Sequence, residues 1–247
     1  YETALQYSRR ANRADPGFLE GWHITGLLSS EVFKLDGEAS AAEEADKAFS
    51  QALELDPTNP QWYWQRSELR RTMGELRGAG RDARLATLFG PEDAYAWMHL
   101  GHFQIDLDPP MHEQAIASYA RALELDESLD DARRESAKSQ AALGRTQAAL
   151  LEFNHLVEQS SEDVRALNLE ARARFHEDQG DMPTAMADYR AARLDDPEFF
   201  DAWFGEARIA LTLQDEITAR NAIDMCRQLR PGDEQVQGLF DQLGIKR

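Results

Sequence analysis

Seven times along this chain an alanine is followed four residues later by a position that most copies fill with a large side chain. A small residue comes three further on, and a turn residue five beyond that. The register is complete in Ala45-Phe49-Ala52-Pro57 and recurs as Ala4-Ser8-Ala11-Pro16, Ala79-Ala83-Ala86-Pro91, Ala115-Tyr119-Ala122-Glu127, Ala149-Phe153-Leu156-Ser161, Ala185-Tyr189-Ala192-Pro197 and Ala219-Ile223-Cys226-Pro231. Successive copies lie 41, 34, 36, 34, 36 and 34 residues apart. A period of this kind describes one supersecondary unit that cannot bury its apolar face alone and stacks on its neighbours to do so.

The front half of each unit has its own signature: Trp22 with Gly26, Tyr63 with Ser67, Trp97 with Gly101, Arg133 with Ala137, Leu167 with Ala171, and Trp203 with Ala207. An offset of four puts both members on one helix face, a large residue to fill a gap and a small one where two backbones approach. With these residues the chain resembles the tetratricopeptide-repeat family, best in the unit from Ala94 to Ser128, and the arginine bias of 23 to 4 lysines points to a bacterial scaffold of that kind.

The resemblance implies an all-α fold, a right-handed α-solenoid of tetratricopeptide-type helix-turn-helix repeats. The expected organisation is one superhelix over residues 1–247: the second helix of a truncated repeat at 1–18, full repeats at 19–59, 60–93, 94–129, 130–163, 164–199 and 200–233, and a terminal helix at 234–247. Because Tyr1 starts in helical pattern, the sequence reads as a piece of something longer. Asp-Pro and Asp-rich segments such as "ELDPTNP" close each unit, since proline cannot continue a helix interior. The two-residue insertions are expected as longer loops within "LDPPMHE" and "DQGDMPT". In "GELRGAGRDA" the glycines at 74, 78 and 80 read as a loosened turn between helices. The seven extra residues of the 41-residue unit fall in "SSEVFKLDGEASAAEE", where they either lengthen both helices about Asp36-Gly37 or form a loop.

Composition narrows the function. A formal charge of −18 disfavours phosphate backbones, so no nucleic-acid partner is predicted. The longest stretch free of Asp, Glu, Lys and Arg is Ala94–Ile105, too short for a bilayer span, so no membrane insertion is predicted either. One cysteine, Cys226, rules out an internal disulfide and sits in a small-residue slot, where it reads as packing. The nucleophile-elbow, phosphate-loop, dinucleotide and zinc-protease motifs do not occur, and the chain is predicted not to be an enzyme. The localisation stays undetermined, periplasm or cytoplasm.

In the family the first helix of each unit lines a concave face. The resemblance therefore places Glu20, His23, Glu31, Trp64, Glu68, Arg71, Tyr95, Met98, His99, His102, Ile105 and Asp106 on that face in the first three full units. In the last three it places Asp131, Arg134, Glu135, Lys138, Arg165, Asn168, Arg172, Phe175, His176, Asp201, Phe204 and Arg208 there. The second set carries five bases against three acids, an apparent positive strip able to receive carboxylates, unless Arg134, Lys138 and Arg172 pair with Glu135, Glu170 or other acids. His99 and His102 are expected on the open groove. A pair at i and i+3 can share a ligand, but zinc takes three or four protein ligands and Asp106 is the nearby third group, so no metal or other cofactor is predicted.

Three readings follow. The first is a non-catalytic scaffold binding a partner protein segment, with Trp64, Tyr95, Met98, His99, His102, Asn168 and Phe204 in the groove and Arg134, Lys138, Arg165, Arg172 and Arg208 receiving acidic groups. Charge reversal at Arg165 and Arg172 is then expected to weaken binding with little change in thermal midpoint. The second is a periplasmic scaffold of a bacterial exopolysaccharide modification and export machine, touching a cationic polysaccharide. The third is a regulatory module for an enzyme domain elsewhere. Where chaperone-clamping relatives begin their clamp with Lys, this chain has His23, Trp64, Met98 and Arg134.

Overall fold

The computed structural model describes residues 2–243; Tyr1 and residues 244–247, which the expected first and last helices include, lie outside them. Among the described residues there are fourteen α-helices and no strand. They are α1 (Glu2–Ala14), α2 (Leu19–Asp36), α3 (Ala39–Leu55), α4 (Pro60–Thr72), α5 (Leu76–Phe89), α6 (Ala94–Ile105), α7 (His112–Leu125), α8 (Asp130–Ala142), α9 (Thr146–Gln159), α10 (Glu162–Asp178), α11 (Met182–Asp195), α12 (Phe200–Thr212), α13 (Glu216–Leu229) and α14 (Glu234–Gln242). The fold is an all-α helical-repeat solenoid.

The chain forms two compact units, Tyr1–Ser139 and Gln140–Arg247. In the first, α2 packs on α3, α4 on α5 and α6 on α7, and each pair packs on the next; α4 also touches α6 directly. In the second, α10 packs on α11 and α12 on α13, with α10 against α12 and α14 covering α12 and α13.

The sequence register is the core. Ala45, Ala79, Ala115, Ala149, Ala185 and Ala219 are fully buried, as are Ala52, Ala86, Ala122, Ala192 and Cys226 two turns on. Between them Phe49, Tyr119, Phe153, Tyr189 and Ile223 fill the space between helices. The paired glycines are small for a measurable reason: a Cβ on Gly26 would lie 2.5 Å from the Phe49 ring, and one on Gly101 2.5 Å from Tyr119. Where the large position is only Ala83, Phe103 of α6 reaches in from the next pair and presses on Gly80 instead. Gly78 and Gly80 are therefore helical residues of α5, and only Gly74 of that stretch belongs to the turn.

Four of the five prolines of the register have a partner six residues later. Trp22, Trp97 and Trp203 donate their indole N–H to the carbonyls of Pro16, Pro91 and Pro197, all at 2.9 Å, and the Tyr63 hydroxyl donates to Pro57 at the same distance. The bond satisfies a carbonyl that the helix break leaves open and fixes where the next helix starts. Asn59 and Asp93 then cap α4 and α6 by accepting from backbone N–H groups of the first turn.

The insertions follow two routes. The 41-residue unit absorbs its extra residues as helix, α2 being 18 residues and α3 17, with Gly37 in the left-handed conformation that ends α2. The segment after α6 is a longer loop, residues 106–111. "DQGDMPT" is not: the turn there is only 179–181, closed by Gly180 at φ 78°, and α10 takes up the length with 17 residues.

Candidate functional site

In the first unit the contact between α4 and α6 gathers aromatic, imidazole and carboxylate side chains. Trp64 is half-buried, and its indole stacks on Tyr95 (centroids 5.5 Å apart, planes 21°) and on His99 (4.8 Å, 7°). Tyr95 and His99 are one turn apart on α6, so one flat indole from α4 covers both. Tyr95 remains 45% exposed at the edge of this stack. Toward α2, Trp64, Glu68 and Leu69 share a cleft with Leu27, Glu31 and Lys34.

One turn below Trp64, Glu68 lies with its Oε2 3.3 Å from His99 Nδ1. Arg71 holds the same carboxylate with two hydrogen bonds of 2.8 and 3.0 Å and donates a third, 2.7 Å, to Asp106. Burial opposes ionisation of Glu68, but His99 and Arg71 outweigh it, and the carboxyl is held far below its ordinary range. His102 meets His99 edge-on at 5.4 Å and 88° and leans on the Tyr119 ring at 5.6 Å. Burial first, then the neighbouring His99, push its pKa down to about 4, so His102 is neutral at physiological pH. The Nδ1 atoms of His99 and His102 and the hydroxyl of Tyr119 are buried without an aligned hydrogen-bond partner.

The placements differ from the sequence expectations in several respects. His99 is buried, 8% exposed, and not on an open wall. Met98 is a core residue packed with Tyr119, Ala122 and Leu129; its side of α6 faces the partner helix α7, so it cannot anchor a ligand. Asp106, expected to be the group nearest the histidines, is drawn away to Arg71, and Glu68 from the neighbouring helix stands in its place. The period could have shown this: Glu68 and His102 are 34 residues apart, equivalent positions on first helices that touch.

The apparent basic strip is internally matched. Arg134 is buried and bonds Asp131 at 2.6 Å, and Lys138 bonds Glu135 at 2.7 Å. In the second unit Arg165 makes a two-bond pair with Asp195 and Arg172 makes one with Asp188, adding a bond to Asn154. Arg208 pairs with Glu177 at 2.5 Å. A charge count over first-helix faces misses Asp188 and Asp195 because both come from the second helix α11. Asn168 is fully buried and donates to Ser160 at 2.7 Å. Phe175 is core, and Phe204 is half-buried against Phe200. Cys226 is buried, which pushes its thiol up to about 12.

The arrangement defines a tetratricopeptide-type repeat fold with an aromatic and histidine-rich patch on its first helices. No protein-family model matches the chain. A curated relative, the heat-shock protein cognate co-chaperone sgt12 of Aspergillus fumigatus, is 31% identical over 105 residues. That match covers 40% of this chain and only 30% of the relative's length. Among solved structures, a tetratricopeptide-repeat protein from Parabacteroides merdae superimposes with TM-score 0.73 at 19% identity, over 98% of this chain and 91% of that one. The Cut9–Hcn1 hetero-tetramer of APC/C gives 0.75 at 15% identity, over 98% and 46%. YrrB, described as a repeat protein with an unusual peptide-binding site, gives 0.54 at 18% identity, over 80% and 100%. These likenesses establish the fold.

Among the described residues no helix is long and apolar enough to cross a membrane.

Proposed function

We propose that this chain is a non-catalytic protein-interaction scaffold that takes an apolar segment of a partner protein across the first helices of its first unit. The observation that supports this reading is the Trp64 stack. A rigid indole, stacked on two rings of α6, presents an exposed tyrosine edge beside a cleft that continues to Leu27, which is itself 39% exposed. Rigid aromatic anchors of this type carry most of the energy in protein interfaces because they are already ordered before the partner arrives. Arg165, Arg172 and Arg208 of the second unit are occupied by their own acids and serve packing in this reading. The relative's description as a co-chaperone and the peptide-binding site in YrrB's description agree with a protein or peptide ligand. The positions where a carboxylate clamp begins with Lys hold His23, Trp64, Met98 and Arg134, so the recognition proposed is apolar and not capture of a chain terminus.

The test is a displayed peptide library selected on the folded chain, with binders titrated by calorimetry against Tyr95→Ala and Arg165→Ala. Binders that lose about tenfold or more in affinity with Tyr95→Ala, and little with Arg165→Ala, support the reading. Failure to select any binder, or the reverse pattern, counts against it.

A further inference from the structure

Glu68, His99 and His102 come from two helices and point their donor atoms to one place: one ligand atom from each lies within 4.8 Å of the other two. We propose that these three residues bind one divalent transition-metal ion of the zinc class.

Four observations converge on this site. The donor set, two imidazoles and a carboxylate, is one that zinc accepts, whereas calcium and magnesium take all-oxygen shells. The ring geometry fits. Two imidazoles on one tetrahedral zinc, with bonds of about 2.0–2.1 Å, have centroids roughly 5 Å apart; His99 and His102 stand at 5.4 Å. Closing the triangle onto a common ion moves each donor by less than about 1 Å, a side-chain rotation. The third observation is unspent bonding capacity: His102 Nδ1 is buried with no hydrogen-bond partner and His99 Nδ1 meets only the Glu68 carboxylate, poorly aligned at 3.3 Å, a costly condition that a metal bond removes.

The fourth observation is support around the donors. The indole of Trp64 lies flat on His99 and fixes its ring plane, and Tyr119 backs the ring of His102. Arg71 orients the Glu68 carboxylate, as outer-shell partners of metal-bound carboxylates do. Its positive charge is offset by Asp106 at 2.7 Å, and Glu135 of α8 adds negative potential at His102, so a cation meets a surround that is not repulsive. Three protein donors leave a fourth position for water or for a donor from another molecule.

The experiment uses the whole chain free of any histidine tag. Zinc chloride is titrated by calorimetry while the imidazole resonances of the six histidines are followed by NMR. Saturation at one ion per chain with His99 and His102 alone shifting is expected. Glu68→Gln and His102→Gln should each lower affinity by at least about tenfold, since even outer-shell losses cost that much. His155→Gln, altering an exposed histidine of α9, should leave binding unchanged. Magnesium should not compete. Absence of saturable zinc binding, or shifts in the wild-type protein at histidines other than these two, overturns the proposal whether or not the variants fold. Undiminished binding by folded Glu68→Gln and His102→Gln overturns it as well.

Discussion

The first helices of the two units are built from the same repeat, yet they spend their polar groups differently. On α10 and α12 every arginine of the sequence-predicted groove has an acid to itself: Arg165 with Asp195, Arg172 with Asp188, Arg208 with Glu177. On α4 and α6 rings stack on rings, two imidazole nitrogens are left without an aligned hydrogen bond, and a tyrosine edge stays exposed. A face with matched charges has little left to offer a partner, because a new contact must first break a good one. On the proposed reading, the rigid face with unspent capacity is the one that binds.

The largest test of this contrast is Arg172→Glu. The sequence alone predicts weaker partner binding at an unchanged thermal midpoint. The structure corrects that: Asp188 is 8% exposed on its side chain, and a second carboxylate against it leaves a nearly buried charge unpaired and repelled. Unfolding monitored by denaturant should show a loss of about 3 kcal/mol or more. An unchanged midpoint would mean that the pair is not structural. Next in size is Tyr95→Ala, which should cost a bound peptide about tenfold in affinity, roughly 1.4 kcal/mol, while shifting stability by less than about 0.5 kcal/mol. A smaller effect is expected for Asp195→Ala. Arg165 is 47% exposed, so although its hydrogen bonds hold the Asp195 carboxyl below the ordinary range, the pair is screened and its loss should cost at most about 1 kcal/mol.

The finest distinction is in pH dependence on the first unit. Burial, opposed by Glu20, lowers the pKa of His23 below 6.5, so between its folded and unfolded values the unfolded chain binds more protons. The stability contributed by neutral His23 is complete above about pH 6.5 and is lost as pH falls below it. Comparing wild type with His23→Gln across pH 5 to 7 should show a downward slope toward acid in the first and a shallower one in the second.

Much of the fold is written in the sequence because the repeat states it six or seven times. Ala45, Ala79 and Ala115 are fully buried in the same register, and the glycines facing Phe49 and Tyr119 follow from crowding against those rings. What the sequence hides is which element supplies a contact from outside the repeat position being read. Asp188 and Asp195 are invisible to a count made on first helices, and Phe103 filling the gap beside Ala83 belongs to the next pair. Met98 shows the same limit within one helix: its neighbour Trp97 faces the preceding turn and His99 the indole of Trp64, which turns Met98 toward Tyr119. The histidines were legible as a pair, but Glu68 joins them only once α4 is laid beside α6. The added length near Gly180 lies in α10 and not in a loop, since glycine and proline mark a turn without fixing how long the preceding helix is.

Hydrogen–deuterium exchange with a library-selected peptide is the most direct test of where this chain binds. Slowed exchange in residues 60–72 and 94–105, with 162–178 and 200–212 unchanged, is the expected footprint. Protection confined to 162–178 and 200–212 would contradict it.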